Sequence, residues 1–271
     1  MRRTGVKPPI LLIGAGRMGG AMLRGWLAQG LAPVIAVEPK PNARLRKLKG
    51  VDFVPEIELL PVGKARACVV ALKPQILRTE AVRLRAIAQR GTPMISIAAG
   101  TSIAMLRRAW GTKAKILRAM PNTPGAIGKG ISAIYAPPNI SAGERKITGQ
   151  LLAPLGETIR VSREKLIDVT TAVSGSGPAY VFLMVEALAD AAEAEGIPRR
   201  EAEKLARATI MGAGALLEAD GRLPSELRRD VTSPGGTTEA ALKVLMKPDG
   251  LARLMARAVS AANKRAGELA S

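Results

Sequence analysis

Short apolar runs rich in Val and Ile alternate with segments of helical composition up to about residue 163. Segments such as Met18–Gln29 and Asn42–Leu48 have the composition of helices. Alternation of strand and helix predicts an α/β fold with a mostly parallel, doubly wound sheet. The eight runs that predict strands are Ile10–Ile13, Val34–Val37, Asp52–Val54, Ala67–Leu72, Met94–Ile97, Ile116–Arg118, Ser132–Tyr135 and Thr158–Val161.

Beyond residue 163 the strand pattern stops and the apolar residues take a helical spacing. Pro178–Ala194 predicts one helix, Gly196 ends it, and a second runs from Pro198 to about Ala219. Pro224–Asp230 predicts a short helix, and a last helix is expected from Pro248. We therefore predict two domains, 1–163 and 164–271, the second all-helical. A helical domain this small, with faces rich in Ala, Leu and Met, is expected to need a partner subunit.

The composition is that of a soluble globular protein, with 47% apolar and 23% charged residues in 271 positions. The net charge of +19 raises the hypothesis of a nucleic-acid-binding protein. However, Lys and Arg are scattered along the chain, and aromatic residues are only 2%, too few for a base-stacking platform. We expect a solvated basic surface and no nucleic-acid partner.

Three features predict a cytoplasmic protein without a membrane partner. A single cysteine, Cys68, cannot form an intramolecular disulfide, which fits a reducing compartment, and it is expected to be a buried hydrophobe on a strand. The N-terminal apolar run is too short for a signal peptide. The apolar stretch from Ala179 is interrupted by Glu186 and Asp190, so we expect a core helix rather than a membrane span.

The chain contains no histidine, which restricts its chemistry more than any other fact of composition. Histidine-based metal sites, Ser-His and Cys-His nucleophiles, and the histidine acid used by many carbonyl reductases are all excluded. No metal is expected.

A glycine pattern, Gly14-x-Gly16-x-x-Gly19, follows the first predicted strand and opens a helix. In that context it predicts a Rossmann-type dinucleotide site, with the pyrophosphate on the helix N-terminus. Glu38 ends the second strand, where an acid binds the ribose 2′-hydroxyl of NADH. Lys40 and Arg44 follow closely and suit the 2′-phosphate of NADPH, so both cofactors stay open, with the acid favouring NADH.

Two further loops follow strands, at the edge of the sheet where such folds bind ligands. Lys73 in "VVALKPQ" is either near the cofactor or a solvated loop lysine. Asn122 in "AMPNTPGAIGKG" is flanked by prolines that stiffen its loop, which suits either an amide held for hydrogen bonding or a structural turn.

Two more glycine and hydroxyl clusters precede apolar helices. "SPGGTT" begins at Ser233, with Pro234 as a helix-start residue, and "VSGSGP" begins at Val173. Taken separately, each cluster fits an ordinary helix-capping motif. Together, in a dehydrogenase-like chain, we expect two helix N-termini whose free amides and hydroxyls bind a substrate carboxylate.

With "IGAGRMGGAML", "VVALKPQ", "RAMPNTP", "AVSGSGPAYVFLMVEAL" and "LRRDVTSPGGTTEAALKVL", the chain closely resembles the Δ1-pyrroline-5-carboxylate reductase family from Ile13 to Leu245. The resemblance implies a Rossmann domain and an all-helical substrate-binding domain that interlocks in a dimer, with dimers often assembling into decamers.

The resemblance also implies site residues. For the cofactor it implies Gly14, Gly16, Arg17, Met18, Gly19, Ala71, Lys73, Pro74 and Asn122, which add to Glu38 and Lys40 expected above from the end of the second strand. Those expected to bind the small-molecule substrate are Ser174, Gly175, Ser176, Ser233, Gly236, Thr237 and Thr238. Thr238 stands where the family's threonine hydrogen-bonds the substrate nitrogen. The family often has a small polar residue and an Arg after the second strand, whereas "VEPKPN" stands here.

The implied reaction is hydride transfer from NADH or NADPH to the C5=N bond of pyrroline-5-carboxylate, giving L-proline. A cyclic imine is basic enough to arrive protonated, which agrees with the absence of histidine. A β-hydroxyacid dehydrogenase is the enzyme alternative, but its catalytic Lys has no counterpart in Pro178–Ala194. A non-catalytic NAD-binding or nucleic-acid-binding protein on the same fold is supported only by the charge.

Overall fold

The structure is a computed structural model that describes residues 7–61 and 63–270. All eight predicted strands are confirmed, and no end differs from its prediction by more than two residues. Within the described residues they are β1 (Ile10–Ile13), β2 (Val34–Val37), β3 (Val51–Val54), β4 (Ala67–Val70), β5 (Met94–Ser96), β6 (Ile116–Met120), β7 (Gly130–Tyr135) and β8 (Gly156–Arg160).

The strands form one sheet in the order β3-β2-β1-β4-β5-β6-β7-β8. Strands β1 to β6 are parallel, β7 runs antiparallel to β6, and β8 is parallel to β7. The order reverses at β1, so the carboxyl ends of β1 and β4 flank the crevice where such sheets bind ligands. The helices between the strands are α1 (Arg17–Ala28), α2 (Ala43–Arg46), α3 (Pro74–Glu80), α4 (Arg85–Gln89), α5 (Ile103–Trp110) and α6 (Ala142–Leu152).

Two apolar cores cover the two faces of the sheet, which confirms the doubly wound fold. Because successive side chains of a strand point to opposite faces, Leu12 packs in one core with Trp26 and Leu11 in the other with Trp110. Both indole N–H groups donate to buried backbone carbonyls, so neither ring leaves a polar atom without a partner. Cys68 is fully buried in the second core, as predicted.

After β8 the described chain is entirely helical, as predicted. The helices are α7 (Leu166–Thr170), α8 (Gly177–Ala194), α9 (Arg199–Ala219), α10 (Pro224–Asp230), α11 (Thr237–Leu245) and α12 (Leu251–Ala270). The chain divides into two compact units: Gly177–Ala261 forms one, and residues up to Ser176 together with those from Ala262 onward form the other. The predicted domain boundary between residues 163 and 164 stays a prediction.

In the second unit, helices α8 and α9 pack through small residues. The buried positions are Ala189 on α8 and Ala202 and Ala206 on α9. Because alanines form this contact, the larger apolar side chains point elsewhere, and Phe182 and Leu183 are each 63% exposed. The expectation of a helix buried in the core of its own chain was therefore wrong.

The helical run Leu166–Ala194 is also long and apolar enough to cross a membrane by length and composition, and 11% of its most apolar window is buried.

Candidate active site

The glycine-rich loop between β1 and α1 owes its shape to three glycines with three different constraints. Gly14 has φ of +90°, which favours glycine, and a Cβ there would lie 3.1 Å from the carbonyl oxygen of Ala71. A Cβ at Gly19 would collide with the carbonyl oxygen of Gly14. A Cβ at Gly16 would meet nothing within 4 Å. The first and third glycines are thus required by packing, whereas Gly16 faces open space.

That open space lies at the N-terminus of α1. Gly16 is the N-cap residue and offers no side chain to the first amides of the helix. Arg17 is exposed and Met18 half-buried in the first turn. Uncapped amides and the helix dipole attract an anion, so the loop fits the pyrophosphate of a dinucleotide.

Glu38 directly follows β2, and its side chain turns back over this loop. One carboxylate oxygen accepts a hydrogen bond from the Ala15 N–H at 3.0 Å, and the other accepts one from the Lys40 N–H at 3.4 Å. The carboxylate is therefore held beside the glycine-rich loop, where a ribose would lie. The side chains of Lys40 and Arg44 are exposed.

A cavity of about 460 Å³ opens beside this carboxylate, within the size range of small-molecule sites. It lies at the carboxyl ends of β1 to β4. Its lining residues include Gly14, Glu38, Pro39, Ile57, Leu72 and Ile76. Glu56, Glu80 and Arg83 also line the cavity. Its apolar part suits the adenosine half of a dinucleotide, and its rim carries three carboxylates and one guanidinium.

The loop after β4 contacts the glycine-rich loop directly. The Ala71 N–H donates to the Ile13 carbonyl at 2.8 Å, and a Cβ at Gly19 would lie 3.2 Å from the Ala71 Cβ. Lys73 is the exposed N-cap of α3, and Pro74 is its first residue. Ala71 is thus part of the loop's packing, and Lys73 extends from the same edge of the sheet.

Asn122, directly after β6, is held by the backbone. Its Oδ1 accepts a hydrogen bond from the Ile131 N–H at 3.0 Å, which ties the loop after β6 to β7. This hydrogen bond gives Asn122 a structural role. It uses the Oδ1 atom and does not involve the amide NH₂ group.

The Ser174–Ser176 segment does not form a separate helix N-terminus, and that prediction was wrong. Helix α7 leads directly into a π-helical turn, Thr171–Gly175, and α8 begins two residues later. The Ser176 N–H is already bonded to the Thr171 carbonyl at 2.8 Å, and the Ser174 hydroxyl donates to the Thr170 carbonyl at 2.9 Å. The sequence shows the small residues but not the helical run that precedes them. Turns of π-helix are frequent at functional sites.

The "SPGGTT" segment does expose a helix start, but at a later residue than predicted. Helix α11 begins at Thr237 rather than at Pro234, because Gly235 takes φ of +71° and turns the chain first. Gly236 is the N-cap and makes no side-chain cap. Thr237 and Thr238 therefore occupy the first turn, with Thr237 exposed and Thr238 half-buried.

The negative charge nearest this helix start has a local partner. The Glu239 carboxylate accepts a hydrogen bond from the Gly235 N–H at 2.7 Å, and the Gly236 N–H donates to the Ser233 carbonyl at 3.0 Å. These bonds fix the turn before α11. They leave the amides of the first helical turn without a side-chain acceptor, so the segment retains the geometry of an anion site.

A buried ion cluster, not predicted from the sequence, surrounds Arg118 of β6. Its guanidinium contacts Glu164 at 3.1 Å and Asp168 at 3.3 Å, and the Arg118 side chain is 3% exposed. The sequence signal was a lone charged residue within an apolar strand. By contrast, no group of three or more acidic or Cys side chains that could hold a metal occurs among the described residues.

Comparison with known proteins gives consistent matches over the whole chain. Residues 164–269 match the family described as pyrroline-5-carboxylate reductase dimerisation, and residues 9–100 match the family described as NADP oxidoreductase coenzyme F420-dependent. The pyrroline-5-carboxylate reductase of Pseudomonas aeruginosa is 38% identical over 97% of this chain and 97% of its own.

Solved structures agree. That of a pyrroline-5-carboxylate reductase from Coxiella burnetii has a TM-score of 0.89 and 32% identity, covering 98% of this chain and 100% of its own. That of the Plasmodium falciparum pyrroline carboxylate reductase with NADP bound has a TM-score of 0.81 and 26% identity, with the same two coverages.

Proposed function

The chain belongs to the pyrroline-5-carboxylate reductase family, and we propose that its glycine-rich loop, its Ser174–Ser176 turn and the start of α11 bind the reactants. It is a nicotinamide-dependent enzyme that reduces the C=N bond of L-1-pyrroline-5-carboxylate to L-proline, the last step of proline biosynthesis. The proposed roles rest above all on the uncapped start of α11.

For the cofactor, the finer proposal is a preference for NADH. The support is the Glu38 carboxylate, which is held by the Ala15 N–H beside the cavity and would repel a 2′-phosphate. Lys40 and Arg44 support the opposite preference, as do the relative solved with NADP and the NADP oxidoreductase match. We propose NADH because Glu38 is fixed by hydrogen bonds, whereas the two cationic side chains are exposed.

The nicotinamide supplies a hydride to the C5 atom of the substrate. The chain's own part in the reaction is to bind and to orient. The amides at the start of α11 hold the substrate carboxylate, and the Thr238 hydroxyl hydrogen-bonds the ring nitrogen. The Ser174–Ser176 turn also contacts the substrate. The protonated imine needs no general acid, so a chain without histidine carries out the reduction by positioning alone.

For assembly we propose an obligate homodimer through the helices after residue 163. The support is the matched dimerisation family and the uncovered apolar faces of α8 and α9, where Phe182 is 63% and Met211 68% exposed. Further assembly into decamers follows only from the family resemblance. We propose a cytoplasmic enzyme with no nucleic-acid or membrane partner, since a second subunit accounts for the apolar faces and aromatic residues, 2% of the chain, are too few for a base-stacking platform.

Substitution of Thr238 by Val tests the site. It keeps the shape and removes the hydroxyl. A hydrogen bond to a charged group contributes about 1.5–3 kcal/mol, so kcat/KM for pyrroline-5-carboxylate should fall about ten- to 150-fold. NADH affinity should not change, because Gly14–Gly19 is untouched.

A matched control separates catalysis from helix capping. Ser141→Ala removes the hydroxyl that caps α6, where Ser141 accepts the Glu144 N–H at 3.3 Å. It should cost about 1 kcal/mol of stability and leave the kinetics unchanged. If Thr238→Val behaves like this control, losing stability but not kcat/KM, then Thr238 has no role at the substrate nitrogen.

A further inference from the structure

The ion cluster at Arg118 joins three segments of the first unit. Arg118 itself is on β6, and Glu164 and Asp168 lie on the segment that leads from β8 through α7. The same Glu164 oxygen that contacts Arg118 accepts a hydrogen bond from the Ile103 N–H, at the first residue of α5, at 2.7 Å. A guanidinium has a planar set of donors that holds two carboxylates in fixed directions.

The cluster lies next to two segments of the proposed site. Asp168 is six residues before Ser174, which at helical rise is about 9 Å along the chain. On the other side, Arg118 is followed two residues later by Met120, the last residue of β6, and then by Asn122. The cluster therefore ties the helix that carries the substrate turn to the strand that carries the cofactor loop.

A second contact joins the same two segments. The Met120 side chain packs against Gly175, where an added Cβ would lie 2.9 Å from the Met120 Cε. Because Cε is the mobile end of the Met120 side chain, the contact shows that the turn and the end of β6 are neighbours. A shift of α7 along β6 would thus either open this contact or press the turn into Met120.

We propose that Arg118, Glu164 and Asp168 are positioning residues for the reduction: together they fix the Ser174–Ser176 turn relative to the loop at Asn122. This inference rests on the proposed function, since the turn matters only if it meets the substrate. It differs from a purely structural role, in which the cluster would stabilise the fold and the reaction would not depend on it. Because the turn is proposed to bind the substrate, displacing it weakens substrate binding, which raises KM more than it lowers kcat.

The test uses the full-length enzyme and the variant Asp168→Asn. It keeps the size of the side chain and weakens one of the two charged contacts of Arg118. We expect kcat/KM for pyrroline-5-carboxylate to fall about tenfold or more, mainly through KM, while the Kd for NADH stays within about twofold. Asp168→Glu returns a carboxylate and should recover part of the loss.

The matched control is Glu144→Gln. It weakens another partly buried ion pair, between Lys115, just before β6, and Glu144 on α6. Glutamine still serves in the capping box that Glu144 forms with Ser141, so the helix start is preserved. This variant should lower the thermal midpoint and leave kcat and KM within about twofold of wild type.

The results separate the possibilities. A raised KM in Asp168→Asn but not in Glu144→Gln supports the positioning role. Wild-type kinetics in Asp168→Asn, with a lowered thermal midpoint, overturns it while leaving the proposed function intact. An inactive wild-type enzyme overturns the proposed function and this inference with it. If Asp168→Asn does not fold, Glu164→Gln decides by the same comparison.

Discussion

Removing the charge of Glu38 should shift the cofactor preference toward NADPH. In Glu38→Gln the side chain keeps its length and an oxygen that accepts the Ala15 N–H, a bond of 3.0 Å in the native protein. What changes is the carboxylate charge beside the place of the ribose. The 2′-phosphate of NADPH carries a charge of about −1.5 to −2, so its repulsion is removed, whereas NADH loses a charged acceptor for its 2′-hydroxyl.

The size of the effect follows from the surroundings of Glu38. Two unit charges 4 Å apart interact by about 1 kcal/mol in water and by about 4 kcal/mol near a protein surface. Glu38 is half-buried and borders an open cavity, so the lower part of that range applies. A change of about 1–2 kcal/mol corresponds to about a five- to 30-fold rise in the NADPH-to-NADH ratio of kcat/KM.

The assay is steady-state kinetics with each cofactor at saturating pyrroline-5-carboxylate. Asp52→Asn is the matched control, because it removes the same charge from an exposed position on β3 and should not move the ratio. Glu38→Ser, which also makes room for a phosphate beside Lys40 and Arg44, should raise the ratio as well. If the ratio is the same in Glu38→Gln and wild type, Glu38 does not face the ribose and the reasoning from the Ala15 contact is wrong.

Three other results are expected. Gly16→Ala should fold normally, since an added Cβ meets nothing within 4 Å, but it should weaken NADH binding about tenfold or more. Gly19→Ala should instead destabilise the loop. An unchanged NADH titration of Gly16→Ala would count against the pyrophosphate site. Phe182→Glu places a charge on the uncovered face of α8 and should give monomers in sedimentation at micromolar concentration. A dimer that persists in this variant would contradict the proposed interface. Burial raises the pKa of the Cys68 thiol, so the native protein should resist alkylation at neutral pH and react once unfolded; rapid labelling of the native enzyme would be the opposite result.

The sheet could be predicted from sequence because each strand carries its own information. In β1, Ile10–Ile13, every residue is buried, since alternate side chains enter the two cores. Local composition therefore coincides with tertiary burial. The glycine-rich loop is equally local, because its three glycines act within a few residues of one another.

The parts that sequence reasoning missed depend on contacts between distant residues or on competing backbone choices. Arg118 meets acids 46 and 50 residues later in the chain, a pairing that no local pattern predicts. Pro234 is a plausible first helical residue, but Gly235 in the left-handed region delays the helix to Thr237. The Ser174–Ser176 segment resembles a helix start, yet the preceding helix continues into it as a π-turn.

The most direct test of the proposed function is the oxidation of NADH by the purified full-length protein when racemic pyrroline-5-carboxylate is added. We expect a loss of nicotinamide absorbance that depends on both protein and substrate, with L-proline formed in equal amount and no added metal required. A protein that is folded, dimeric and able to bind NADH, yet forms no proline with either NADH or NADPH, would contradict it.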